Sequence, residues 1–136
     1  MSVIVPVYNG ARYLAESLES AFAQDWPNLE IVVVDDGSTD ATPQVLAGFG
    51  ERIRSIRQTN QGAAAARNAA LKASRGEYIA FLDADDLWAP HKLSIQVGHL
   101  EAQPEVDLVY SAWKVVESSD AAAQAREARI WGGIHF

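Results

Sequence analysis

The chain has 136 residues, a formal net charge of -7, 49% apolar and 21% charged residues, and no cysteine. That length suits one domain with a real core. The acidic balance argues against a nucleic-acid surface, the missing thiols exclude disulfides and thiolate metal sites, and no run approaches the ~18 apolar residues of a membrane span.

Val3-Ile4-Val5 opens a strand that ends at Pro6-Val7-Tyr8, and Asn9 stands as the N-cap of the next segment. No basic leader precedes it, so no signal peptide is expected and the cytoplasm is the default compartment. Leu14, Leu18, Ala21 and Phe22 recur at helical spacing, with Arg12, Glu16 and Glu19 on the other side, as far as Trp26-Pro27. Ile31 to Val34 is a second buried strand that stops in acid at Asp35-Asp36, followed by Gly37-Ser38-Thr39-Asp40. Pro43 fits the first turn of a short helix to Phe49, capped by Ser38, Thr39 or Asp40. Ile53 to Arg57 is a weaker third strand closed by Asn60-Gln61-Gly62, and Ala63 to Ala73 is an alanine-rich helix of high propensity that Gly76 terminates.

The fourth unit is the most informative. Tyr78 to Leu82 is a short, β-prone apolar block that reads as a strand buried on both faces, and it gives way within one residue to Asp83, Asp85 and Asp86. Carboxylates just past a strand's carboxyl end lie on the rim where open α/β sheets bind ligands. Asp83 and Asp85, separated by the small Ala84, suit a divalent cation as hard oxygen donors. Asp86, ahead of Leu87-Trp88-Ala89-Pro90, suits a helix N-cap. Pro90 to Ala102 follows as a helix with Leu93, Val97 and Leu100 inward, and Asp107 to Val116 as a fifth strand. His91 and His99 read as surface residues, and Trp26, Trp88 and Trp113 as packing residues.

Strands alternating with helices at this spacing imply right-handed βαβ units, a parallel sheet and helices on both faces. Four polar clusters then share one rim: Tyr8-Asn9, Asp35-Asp36, Asn60-Gln61-Gly62 and Asp83 to Asp86. Four at successive strand ends outline a binding crevice, at which the helix after Gly62 points its positive N-terminus. A net charge of -7 means that an anionic ligand there would need a metal. Beyond Glu117 the pattern degrades, and the ending Ile134-His135-Phe136 reads as a cut.

In combination and order, VIVPVYNG, W-PNLEIVVVDDGSTD, NQGAAAARNAAL and GEYIAFLDADDLW resemble the inverting family 2 glycosyltransferases with the GT-A fold, a Rossmann-like α/β sheet. The resemblance covers residues 2 to about 112 and implies a donor-binding domain at 1–112, followed at 113–136 by the start of an acceptor-side region. It implies that Pro6, Tyr8 and Asn9 lie at the nucleotide, with Pro6 and Tyr8 against base and ribose, and that Asp36 reads the base. It implies that Gly62 lets backbone approach the nucleoside, that Arg67 holds the nucleotide portion, and that Asp83-Ala84-Asp85 is the family's Asp-x-Asp. Asp83 would lie near the ribose and Asp85 on a Mn²⁺ or Mg²⁺ bridging the diphosphate. The implied substrates are a nucleotide-diphospho-sugar, with uridine as the expected base, and a carbohydrate or lipid-linked acceptor. Through that acceptor or a C-terminal part, the protein would work in the cytoplasm or at the inner face of a membrane.

An inverting transfer also needs a carboxylate base, which the family carries downstream. Asp107, Glu117 and Asp120 are of the right type, and none is assigned; Asp107, at a strand start, falls on the wrong rim. Two other readings fit part of the pattern. A phosphoacceptor receiver would use Asp35-Asp36, Asp83 and Ser111-Ala112 at successive strand ends, but Lys114 comes too early for it. A non-catalytic nucleotide-sugar-binding module would need no base.

Overall fold

A computed structural model of the protein describes residues 1–115. Four parallel strands, β1 (Ser2–Val7), β2 (Glu30–Asp35), β3 (Arg54–Arg57) and β4 (Ile79–Phe81), form one sheet in the order β3-β2-β1-β4. The register sets Val7 opposite Asp35 and Asp35 opposite Arg57, so the carboxyl ends of the three longer strands finish together. Four helices connect and follow them: α1 (Leu14–Phe22), α2 (Thr42–Phe49), α3 (Ala63–Ala73) and α4 (Lys92–Ala102). The α/β class and the parallel sheet agree with the sequence reading.

Alternation along β1 and β2 sorts the core into two layers. Val3, Val5, Val7, Ile31 and Val33 pack with Leu14, Leu18 and Ala21 of α1, Leu46 of α2 and Leu93 of α4. Ile4, Val32 and Val34 face the other way, onto Ala66 and Ala70 of α3. Alanine suits that face because it lets α3 lie close to the sheet, and each fully buried Val or Ile contributes about 1.5–3 kcal/mol. Helices therefore cover both faces.

The fourth and fifth strands depart from expectation. β4 is only three residues long and lies at the sheet edge beside β1; Ile79 and Phe81 are exposed, and of the apolar block Leu82 is the residue fully buried. Paired with Ser2 and Ile4, Ile79 and Phe81 point to the α3 side of the sheet, but α3 lies over β1 and β2, so that face of β4 is left uncovered. Residues 107–115 form no strand, and Leu108, Tyr110, Trp113 and Val115 are exposed. β-propensity makes a strand only where an edge and a packing surface receive it. Trp113, expected to pack, is 85% exposed, whereas Trp88 is buried as expected. Without a strand ending at Ser111-Ala112, the receiver reading loses its third site position.

Several local expectations also change. Asn9 caps no helix: α1 begins at Leu14 after Tyr13, and Asn9 has a φ of +53°. Asp86 caps none either, because α4 starts at Lys92 after His91. Gly76 lies beyond the end of α3, which Ser74 closes. Its requirement is space, since a Cβ there would lie 2.5 Å from the Met1 carbonyl carbon and the Ser2 nitrogen. Both expected surface histidines are exposed, and His91 pairs with Asp25 at 2.6 Å.

Candidate functional site

Three strand ends and the N-terminus of α3 surround a cleft of about 440 Å³, within the range of small-molecule sites. Pro6, Tyr8 and Asn9 line it after β1, Asp36 after β2, Arg67 from α3, and Asp83, Ala84 and Asp85 after β4. Of the residues that the resemblance implies for the nucleotide, all line it except Gly62, which adjoins the wall through its N–H bond to Asp36; of the four rim clusters, Asp35, Asn60, Gln61 and Asp86 do not line it. Val7, Gly10, Tyr13, Ala63 and Ala66 also line the cleft and carried no sequence signal of their own. Gly10 fits because a Cβ would strike the Val7 side chain at 2.5 Å, a constraint visible only once the loop is folded back on the strand.

The two adjacent carboxylates after β2 face different ways. Asp35 is buried, accepts the Ser38 N–H at 2.8 Å and meets the Arg57 guanidinium at 3.3 Å. Asp36 turns to the cleft wall. Its Oδ1 accepts from Gln58 Nε2 at 2.7 Å and the Gln61 N–H at 2.9 Å, and its Oδ2 from the Gly62 N–H at 2.8 Å. Burial pushes this carboxyl up, but the bonds from Gln58, Gln61 and Gly62 outweigh it and hold the pKa below the ordinary value. A carboxylate has about four acceptor positions, so Asp36 clamps the loop before α3 and keeps limited capacity for a ligand.

The Gly-Ser-Thr-Asp stretch after Asp36 serves the loop after β1. The Ser38 hydroxyl accepts the Asn9 N–H at 2.9 Å, Thr42 Oγ1 the Gly10 N–H at 2.9 Å and Asp40 Oδ2 the Ala11 N–H at 3.1 Å. Asn9 Oδ1 in return accepts the Thr39 N–H at 2.8 Å. Asp40 also accepts the Thr42 N–H at the start of α2, so of the three expected caps it is the one that bonds there. Neither loop has regular structure, and each supplies the backbone partners of the other.

At the acidic end, Arg67 Nη2 lies 2.5 Å from Asp83 Oδ1, with both side chains partly exposed. Asp85 accepts no hydrogen bond and forms no ion pair among the described residues, although it lines the cleft. Asp86 is crowded: burial, then the Asp85 and Asp83 charges, raise its carboxyl above the usual value. Among the described residues no three His, Cys, Asp or Glu side chains converge as a metal set. Two hard donors one residue apart, one of them free, fit a divalent cation whose remaining positions are filled by ligand oxygens. Asp107 is exposed and lies away from the cleft lining, while Glu117 and Asp120 fall outside the described residues. No helix among the described residues is long and apolar enough to cross a membrane.

The profile of the family described as Glycosyl transferase family 2 matches residues 2–135. An uncharacterized glycosyltransferase of Rickettsia typhi is 38% identical over 118 residues, covering 86% of this chain and 37% of its own length. One from a Nostoc species is 50% identical over 97 residues, covering 68% of this chain and 30% of its own length. The chain thus spans well under half of these curated relatives. Among solved structures, Staphylococcus aureus TarS (residues 1–349) in complex with UDP superposes with a TM-score of 0.70 at 37% identity, over 76% of this chain and 32% of that one. Mannosyltransferase PcManGT from Pyrobaculum calidifontis, in complex with GDP-Man and Mn²⁺, gives 0.68 at 33% identity, over 91% and 37%.

Proposed function

The chain belongs to glycosyl transferase family 2, and from that premise we propose that residues 1–112 are the donor-binding unit of an inverting glycosyltransferase that takes a nucleotide-diphospho-sugar, with UDP as the carrier. The observation that carries the reading is the Asp85 carboxylate, open on the cleft beside the Arg67–Asp83 pair, with Asp36 on the wall formed after β2. A nucleoside diphosphate has three parts to satisfy. Base and ribose would lie along Pro6, Tyr8 and Asn9, with the remaining acceptor capacity of Asp36 reading the base. Gly62, with a φ of +89° and nothing within 4 Å of a built Cβ, leaves room for the nucleoside at the N-terminus of α3.

The diphosphate would meet the acidic turn. Bare carboxylates repel it by about 4 kcal/mol per charge pair at ~4 Å and a dielectric near 20, so Asp85 would hold Mn²⁺ or Mg²⁺ with Asp83 and the ribose adjacent. When bound, that ion supplies Lewis-acid stabilisation of the departing diphosphate. The GDP-Man and Mn²⁺ of PcManGT support a divalent ion, and the UDP of TarS supports the carrier. Arg67, paired with Asp83, would turn to the nucleotide portion.

Inversion requires an acceptor hydroxyl oxygen to bond to the sugar's anomeric carbon as the carbon–oxygen bond to the diphosphate breaks, the hydroxyl proton passing to a carboxylate. The cleft carboxylates Asp36, Asp83 and Asp85 already have donor-side tasks. The base and the carbohydrate or lipid-linked acceptor site are therefore assigned outside the described residues, and residues 1–112 by themselves should bind donor without transferring sugar. A base missing together with acceptor orientation removes roughly 10² to 10⁴ in rate from the first term alone.

Calorimetry with UDP tests the reading. Binding is expected with Mn²⁺, with marked weakening to a small metal-independent remainder in EDTA and in Asp85→Asn, which removes the charge and keeps the shape. Metal-independent binding of equal strength in Asp85→Asn would refute the metal site, and tighter GDP than UDP would refute the carrier.

A further inference from the structure

Residues 83–91 bear two of the three cleft carboxylates, Asp83 and Asp85, yet contain neither helix nor strand. Their backbone groups need partners from elsewhere. One face of α1 and Gln24 just past its end provide them. The Ser17 hydroxyl lies 2.5 Å from the Asp86 carbonyl oxygen and 3.4 Å from that of Asp83. The Ser20 hydroxyl accepts the Trp88 N–H at 3.1 Å. Gln24 acts twice: its Nε2 donates to the Ala89 carbonyl at 3.0 Å, and its Oε1 accepts the Leu93 N–H at 3.2 Å.

Positions 17 and 20 are three apart and lie on one face of α1, and Gln24, just past the end of that helix, reaches the same turn. Ser17 is fully buried and Gln24 is 9% exposed. Polar side chains so placed are costly unless matched, and apolar neighbours Leu14, Leu18 and Ala21 already supply the core contacts of α1. The apolar spacing of this helix predicts a buried face of apolar residues alone, and Ser17 departs from it. We propose that Ser17, Ser20 and Gln24 are positioning residues: together they grip the back of the acidic turn, so that Asp83 and Asp85 on its front are held towards the cleft. The inference rests on the donor-site reading above for what the turn binds. The hold itself is independent of it.

Groups that orient a metal's carboxylate ligands from behind set its affinity as the ligands do, and losing one commonly costs about tenfold or more. Ser17→Ala in the full 136-residue chain removes the central bond. The control is Leu46→Val in α2, which loosens the core shared with Trp88 but removes no hydrogen bond to the turn. Two measurements are compared: the Mn²⁺ concentration giving half-maximal UDP binding, and hydrogen exchange of the amides from 84 to 90. In Ser17→Ala the half-saturating Mn²⁺ should rise about tenfold, residual UDP affinity in EDTA should be unchanged, and exchange should quicken in the turn. Leu46→Val should do neither at equal loss of melting temperature. Should Ser17→Ala not fold, Ser20→Ala carries the same test. Unchanged Mn²⁺ demand in Ser17→Ala overturns the proposal and leaves the donor site standing. If wild-type chain shows no Mn²⁺-dependent UDP binding, the donor-site reading fails, and exchange alone decides: local quickening upholds the hold on the turn, and its absence refutes it.

Discussion

Replacing Arg67 by methionine should tighten the binding of Mn²⁺ alone while weakening UDP in the absence of metal. The guanidinium is 2.5 Å from Asp83, in a turn that also carries Asp85 and Asp86, and so occupies by charge the place a cation would take. A unit positive charge about 6 Å from a divalent ion opposes it by about 1.4 kcal/mol in bulk water and about four times that at a dielectric of 20. Arg67 and Asp83 side chains are 37% and 50% exposed, so the solvent-like end applies, and a gain of roughly tenfold in Mn²⁺ affinity is expected at low salt. Methionine keeps the stem and the helix propensity of α3. The electron-spin signal of free Mn²⁺ during titration measures the first affinity, and calorimetry with UDP in EDTA the second. Raising the salt to about 0.5 M should erase most of the difference. Weaker or unchanged Mn²⁺ binding in Arg67→Met would show that this arginine does not compete for the acidic turn.

Two further outcomes follow from the geometry. Gly76→Ala forces a Cβ to within 2.5 Å of the Met1–Ser2 backbone, an overpacking that typically costs about 1–3 kcal/mol and should lower the melting temperature by several degrees; UDP affinity should hold, because residue 76 lies outside the cleft lining, and a Tm equal to wild type would contradict the packing. Asp36, whose folded carboxyl lies below its ordinary value, contributes stability that is present above the unfolded pKa near 4 and is lost as the pH falls through the lower folded value. Asp36→Asn should therefore reduce stability at pH 7 and flatten its decline as the pH falls below about 4, read by urea melts; a parallel decline in the variant would place that acid sensitivity elsewhere.

How much of this was legible beforehand depended on the range of the interaction. β1 and β2 could be read because the apolar runs Val3 to Val7 and Ile31 to Val34 stop in polar residues, and α3 because alanine propensity and a leading glycine act within a few residues. The same locality placed Tyr8-Asn9, Asp36 and Asp83 to Asp85 at strand ends, hence on one rim. A strand's fate at the edge is not local: Ile79 and Phe81 look as buried as Val32 until the order β3-β2-β1-β4 leaves them with one neighbour, and residues 107–115 look like a strand until no edge receives them. Asp35 and Asp36 are chemically identical in sequence, and only the fold sends one to Arg57 and the other to Gln58, Gln61 and Gly62. Ser17, Ser20 and Gln24 lie more than sixty residues from the turn they hold. Sequence by itself determined which segments are apolar and where they break into acid, because burial and propensity are written in composition and period. Tertiary structure alone decided which polar groups meet, because a hydrogen bond between distant segments leaves no period to read.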